Sequence, residues 1–184
     1  MVPKTIALST WWAELSEEWQ GILEGQLETN GMEISNWNDI SCLKELDCSG
    51  SSITDLTPVS HFSSIESLDI SETQVKDLRP LLQLPQLKEL HLTFSQSLDL
   101  EIIGKLDKLE VLDISYPYIK NNDIHALSGL TNLRELYCNA CNVDTVIHFI
   151  TLQKLEILCV YFNPIPGQEL DAFQELMPFC RILS

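Results

Sequence analysis

Residues 65–86, IESLDISETQVKDLRPLLQLPQ, are followed by residues 87–108, LKELHLTFSQSLDLEIIGKLDK, and the second stretch repeats the apolar pattern of the first. Ile65, Leu68 and Ile70 return as Leu87, Leu90 and Leu92, and Leu78, Leu81 and Leu84 return as Leu100, Ile103 and Leu106. A fixed period of roughly this length decides the architecture before any single helix or strand is assigned. Each unit is too small to bury its own apolar edge and must stack on the next.

Working outward, the same opening occurs at Leu43, Ile65, Leu87, Leu109, Leu133 and Leu155, with offsets of 22, 22, 22, 24 and 22 residues. Phe179 and Ile182 fit the first and fourth places of a further opening. Counted from each opener, apolar residues recur at steps 1, 4, 6, 11, 14, 17 and 20, and Ile34, Trp37 and Ile40 occupy steps 14, 17 and 20 of a truncated repeat in front. Alternation within Leu-x-Leu sends one residue inward and the next outward, which predicts a short strand. Asp55 and Asp77 can accept backbone N–H bonds where the return path begins, and Pro58 and Pro80 discourage long helices there.

This pattern resembles the leucine-rich repeat family, in the short class with Asp-Leu-x-Pro-Leu on the outer side that occurs in bacterial internalins. Asp55-Leu56-Thr57-Pro58-Val59 and Asp77-Leu78-Arg79-Pro80-Leu81 carry that element, and the resemblance covers about residues 34–184. It implies a right-handed α/β solenoid with one short parallel strand per repeat on the concave side. Repeat three, with Leu100-Glu101-Ile102-Ile103, and repeat four, with two extra residues around Asn121-Asn122-Asp123, depart from the outer pattern.

A solenoid needs its ends covered. Trp12, Leu15, Trp19, Ile22, Leu23 and Leu27 fall at helical spacing, with Ser16 placed as an N-cap, so residues 1–33 read as an N-terminal helical cap. Residues 34–184 then form the solenoid, with six full repeats from 43 and a closing strand near 179–183. Before that strand, Leu170, Phe173 and Leu176 share one face of a short helix.

The 184 residues carry 27 Asp and Glu against 11 Lys and Arg, a net charge of −16. That balance argues against nucleic-acid partners and anionic membranes, both of which require basic surface. No apolar run approaches the roughly 20 residues that span a bilayer. Lys4 is followed by Trp11, Trp12, Glu14, Glu17 and Glu18, unlike a signal peptide. Six irregularly spaced cysteines without an export signal predict reduced thiols and a cytoplasmic setting.

The outward steps define the candidate site. Step 3 reads Glu45, Ser67, Glu89, Val111, Glu135, Ile157, and step 5 reads Asp47, Asp69, His91, Asp113, Tyr137, Cys159. Steps 7, 8 and 10 add Glu72, Phe94, Tyr116, Tyr118, Tyr161 and Phe162. Seven carboxylates and no Lys or Arg occupy these steps, whereas step 2 alternates Lys44, Glu66, Lys88, Glu110, Arg134, Glu156 as a ladder of opposite charges. Exposed aromatics rimmed by charge are the make-up of a binding hot spot. Asp47, Asp69, Glu72, Glu89, His91, Asp113, Tyr116, Tyr137, Tyr161 and Phe162 are therefore the candidate partner-binding residues, for a protein partner with basic side chains. Phe94 and Phe162 are also large enough to fold back onto the loops, which would remove them from the face.

Catalytic signatures are sparse. Cys138 and Cys141 form a CxxC, yet both fall at inward steps and have no second pair at metal-ligand spacing. Asp69, His91 and Asp113 meet at step 5 and offer donors for a divalent cation, but an open sheet provides no pocket that excludes water. His61, His125 and His148 fall in outer segments and read as solvated. The sequence calls for no cofactor and no enzyme; the alternatives to protein binding are a structural or self-associating repeat domain and a metal-dependent enzyme at Asp69, His91 and Asp113.

Overall fold

A computed structural model of the chain describes residues 8–31, 40–95, 98–117 and 121–184. Strands β1 (Glu45–Asp47), β2 (Ser67–Asp69), β3 (Glu89–His91), β4 (Val111–Asp113), β5 (Glu135–Tyr137), β6 (Ile157–Cys159) and β7 (Arg181–Leu183) lie side by side in chain order. Every neighbouring pair is parallel. Each strand spans steps 3 to 5, so its middle residue is the inward leucine of step 4. The register stacks Leu46, Leu68, Leu90, Leu112, Leu136 and Leu158 into one column that ends on Ile182. All six leucines are buried.

Pairing continues beyond the strands. The step 6 N–H of each repeat donates to the step 5 carbonyl of the next, as Cys48 does to Asp69 at 2.8 Å and Leu92 to Asp113 at 2.7 Å. Step 8 donates to step 7 of the next repeat, from Gly50 to Ser71 at 2.9 Å through Ala140 to Tyr161 at 2.8 Å. The concave sheet is therefore wider than its three-residue strands.

The return path runs through 3-10 turns at Thr57–His61, Arg79–Gln83, His125–Gly129 and Ile147–Thr151 and through helical turns at Leu100–Ile103 and Asn121–Ile124. Asp55 accepts the Thr57 N–H at 2.8 Å and Asp77 accepts that of Arg79 at 3.0 Å, as the sequence leads one to expect. Asp99 does the same for Ile102 at 3.1 Å. Pro58 and Pro80 sit inside their 3-10 turns, whereas the proline-free segment after Asp99 closes as a turn of α-helix. A Cβ added at Gly104, which ends that turn, would lie 2.2 Å from the Ala126 carbonyl oxygen, so the two outer turns pack where only glycine fits.

Among the described residues the front cap consists of two helices, α1 (Leu8–Glu14) and α2 (Glu17–Thr29). Extended Ser16 breaks them and accepts the Trp19 N–H at 3.2 Å. The break turns Trp11 into the core instead of Trp12, which is only partly covered. Trp11 meets His61 and Phe62 edge-on, with ring centroids at 5.3 and 6.2 Å. His61 is thus half-buried, contrary to the solvated position expected of it, and that burial lowers its pKa. The Trp19 indole N–H donates to the Asp55 carbonyl at 3.0 Å, and the Ser52 hydroxyl donates to the Glu18 carboxylate at 2.8 Å, which ties the cap to repeat one. Ile40 is buried as expected; Ile34 and Trp37 lie outside the described residues.

The back end departs further from expectation. Helix Gly167–Leu176 buries Phe173 and leads into buried Met177, but Leu176 is 61% exposed and Phe179 is 94% exposed. Ile182 pairs with Leu158, and Cys180, not Phe179, takes the inward place that step 1 holds elsewhere, one residue nearer the strand than in the other repeats. Cys180 donates its N–H to Met177 at 3.0 Å, as Leu155 does to Leu152 at 2.9 Å. Phe179 is left in the turn.

Candidate functional site

The step 5 row shows how the local sequence builds this face. Asp47, Asp69 and Asp113 each accept the backbone N–H of the residue two positions on, Ser49, Ser71 and Ser115, at 2.8 to 2.9 Å. One carboxylate oxygen of each is therefore occupied in closing the strand exit. Where step 5 is not aspartate, the step 7 side chain of the preceding repeat takes over. Ser71 accepts the Thr93 N–H at 3.1 Å beside His91, Ser115 accepts that of Asn139 at 3.2 Å beside Tyr137, and Asn139 accepts that of Tyr161 at 2.9 Å beside Cys159.

Step 8 follows a different rule. Gly50, Glu72, Phe94, Tyr116, Ala140 and Phe162 all have positive φ, between 53° and 70°. This left-handed residue turns the chain so that step 9 re-enters the core, where Thr73, Ser95 and Cys141 are buried. Such a conformation costs a non-glycine residue roughly 1–2 kcal/mol, and only the first repeat uses glycine. Phe94, Tyr116 and Phe162 remain 52%, 46% and 82% exposed in it. They do not fold back onto the loops. Phe94 and Tyr116 stack with centroids 4.5 Å apart and planes 13° apart, and Tyr161 and Phe162 lie at 6.3 Å.

The structure sets most of the candidate residues along one surface. Asp47, Glu72 and Glu89 are exposed, and Asp69, His91, Asp113 and Tyr137 are half-buried along the sheet. The Tyr137 hydroxyl donates to Glu135 at 2.6 Å, which is the main reason its pKa is pushed up to about 12. Cys159 is a correction: the outward step predicted for it is buried, and its thiol meets Asn139 Oδ1 at 3.2 Å. Tyr118 lies outside the described residues. Phe94, left out of the candidate set, joins the face; Gly50 at the same step was the signal that this position needs an unusual backbone.

Beside this face, the step 2 ladder forms as expected. Glu66 meets Lys44 at 2.9 Å and Lys88 at 2.7 Å, and Arg134 bridges Glu110 and Glu156. The hydrogen bonds from Lys88 and then Lys44 hold the Glu66 carboxyl at about 2. Those cations are committed to the ladder.

Asp69, His91 and Asp113 are register neighbours, yet among the described residues no group of three or more His, Cys, Asp or Glu is arranged to hold a metal ion. Cys138 and Cys141 are fully buried; burial pushes both thiols up, Cys141 to about 12, and so disfavours the thiolate that metal binding or redox chemistry requires.

No protein-family model and no curated protein matches this sequence. Solved structures do. An internalin (inlF) from Listeria monocytogenes aligns with a TM-score of 0.66 at 20% identity over 79% of this chain and 42% of its own. A leucine-rich-repeat protein of Leptospira interrogans gives 0.65 at 25% identity over 78% and 38%, and an internalin C2 from Listeria monocytogenes gives 0.61 at 17% over 89% and 90%. The chain thus spans about two fifths of the first two and nearly all of the third. With seven parallel strands in chain order and these neighbours, it has the leucine-rich-repeat fold in its short, internalin-like form.

Proposed function

We propose that the chain is a protein-interaction module that binds its partner on the concave face. Tyr116, Tyr137, Tyr161 and Phe162 anchor the partner, and Asp47, Asp69, Glu72, Glu89 and Asp113, with His91 among them, select one rich in basic side chains. The observation that carries this reading is the step 8 row, where large rings are held exposed in a backbone conformation that opposes them. The seven carboxylates at the concave steps, without a Lys or Arg, favour a cationic partner and disfavour nucleic acid or an anionic membrane. Among the described residues no helix is long and apolar enough to cross a membrane. A cytoplasmic setting belongs to the same proposal, supported by six cysteines that are all free.

Replacing Tyr116, Tyr137 and Tyr161 together by Ser is expected to abolish capture of a partner from lysate, identified by mass spectrometry, while circular dichroism stays unchanged. Undiminished capture by the folded triple variant would refute the face. A self-associating role has one observation in its favour, the exposed Leu176 and Phe179 at the back end. A concentration-dependent dimer in sedimentation, lost in Phe179→Ser, is its signature.

A further inference from the structure

The Phe94–Tyr116 stack has a geometry that the repeat itself imposes. Its 4.5 Å centroid separation follows the strand spacing of about 4.8 Å, so the rings are carried one above the other by the ladder. Each ring spends one face on the other. The remaining face of Phe94 is turned toward the preceding repeat, whose step 8 residue is Glu72, exposed and without a ring. The Glu72 carboxylate has no hydrogen bond or ion pair among the described residues. The same row thus presents, one repeat apart, an anionic group and the open π-face of a stacked pair.

The backbone at this place does not favour rings. Phe94 and Tyr116 have φ of 56° and 70°, where glycine is unstrained, and both remain about half exposed. From this we infer that Phe94 and Tyr116 form a seat for an arginine side chain of the partner, with Glu72 as its counter-ion, an inference that rests on the protein-binding reading of the concave face. The planar guanidinium stacks on the ring while its edge donates to a carboxylate, which one flat cation can do at once. A lysine ammonium is a compact, strongly hydrated point charge and gains less from the ring face. The cations of the neighbouring ladder do not compete, since Lys44 and Lys88 are engaged by Glu66.

The test uses the full chain with ¹³C-labelled aromatic rings, titrated with the acetylated pentapeptide Gly-Arg-Gly-Arg-Gly and with its lysine and citrulline counterparts. Saturable shifts at the Phe94 and Tyr116 rings are expected for the arginine peptide, with binding about two- to fivefold weaker for lysine and lost for citrulline. Glu72→Gln and Phe94→Leu should each weaken the arginine peptide by at least a similar factor. Equal affinity for the arginine and lysine peptides, or full affinity in Phe94→Leu, overturns the seat. Phe94→Gly should melt at a higher temperature than the parent while losing arginine binding; a lower melting temperature would show that the ring serves the fold and would also overturn it. If the arginine peptide fails while the triple tyrosine variant still loses its partner, the seat falls and the interaction face stands. If that triple variant keeps its partner, the face itself falls.

Discussion

The front half of the concave face, β3 apart, and the back half close the same backbone turn by different means. In β1, β2 and β4 an aspartate at step 5 accepts its own repeat's step 7 N–H, so the turn is satisfied locally. In β3, β5 and β6, where His91, Tyr137 and Cys159 stand at that step, the acceptor comes from the preceding repeat, Ser71, Ser115 or Asn139. The first arrangement spends carboxylates and leaves an acidic surface. The second frees step 5 for larger or apolar side chains and binds adjacent repeats together by side-chain hydrogen bonds. Surface chemistry and inter-repeat coupling are thus linked through one backbone N–H per repeat.

The column shared by both halves supplies the largest test. Leu112 lies between them at β4 and is fully buried. Leu112→Ala is expected to cost about 2–5 kcal/mol by cavity formation, read from urea unfolding. A cost below about 1 kcal/mol would mean that the column is not packed continuously across the junction.

A smaller contrast bears on the comparison itself. Asn139 accepts from the Tyr161 N–H and the Cys159 thiol and donates to Ser115 at 3.2 Å. Asn139→Ala therefore leaves several groups unsatisfied and should cost about 1–3 kcal/mol, against about 0.5–1.5 kcal/mol for Asp69→Ala, which loses one partly solvated bond. Equal losses in parallel denaturation curves would erase the distinction between local and inter-repeat closure.

The smallest effect is a pH dependence on the acidic side. Glu66 between Lys44 and Lys88 has a carboxyl held at about 2 instead of 4.5. Because its folded value is depressed, its contribution is complete above about 4.5 and is lost as pH falls toward 2, where the unfolded chain takes up the proton first. Glu66→Gln should flatten the acid limb of the melting temperature between those values, by a small amount because the pair is exposed. An unchanged acid limb would remove this ladder from the account of acid stability.

Much of this was legible from the residues. The period of 22 to 24 and the recurrence of leucine at steps 1 and 4 determine the solenoid and its register, because apolar spacing reports which side of each segment must face the stack. Asp55 and Asp77 announce their turns, because a carboxylate two residues before a free N–H is a local motif. Phe179 fits step 1 in a single string, but the closing strand follows its inward opener one residue sooner than the others do, so Cys180 takes that place. Trp11 replaced Trp12 in the core because Ser16 ends one helix and begins another, which shifts the buried face.

The repeat, the inward column and the absence of cations from the concave steps are all readable in the residues alone, since they follow from spacing and residue type. The left-handed step 8 in all six full repeats, the stacking of Phe94 on Tyr116 and the burial of Cys159 emerge when the repeats are assembled. These depend on how each turn closes against the next repeat, and a backbone angle or a ring contact between residues 22 apart is written in that neighbour rather than in the local string.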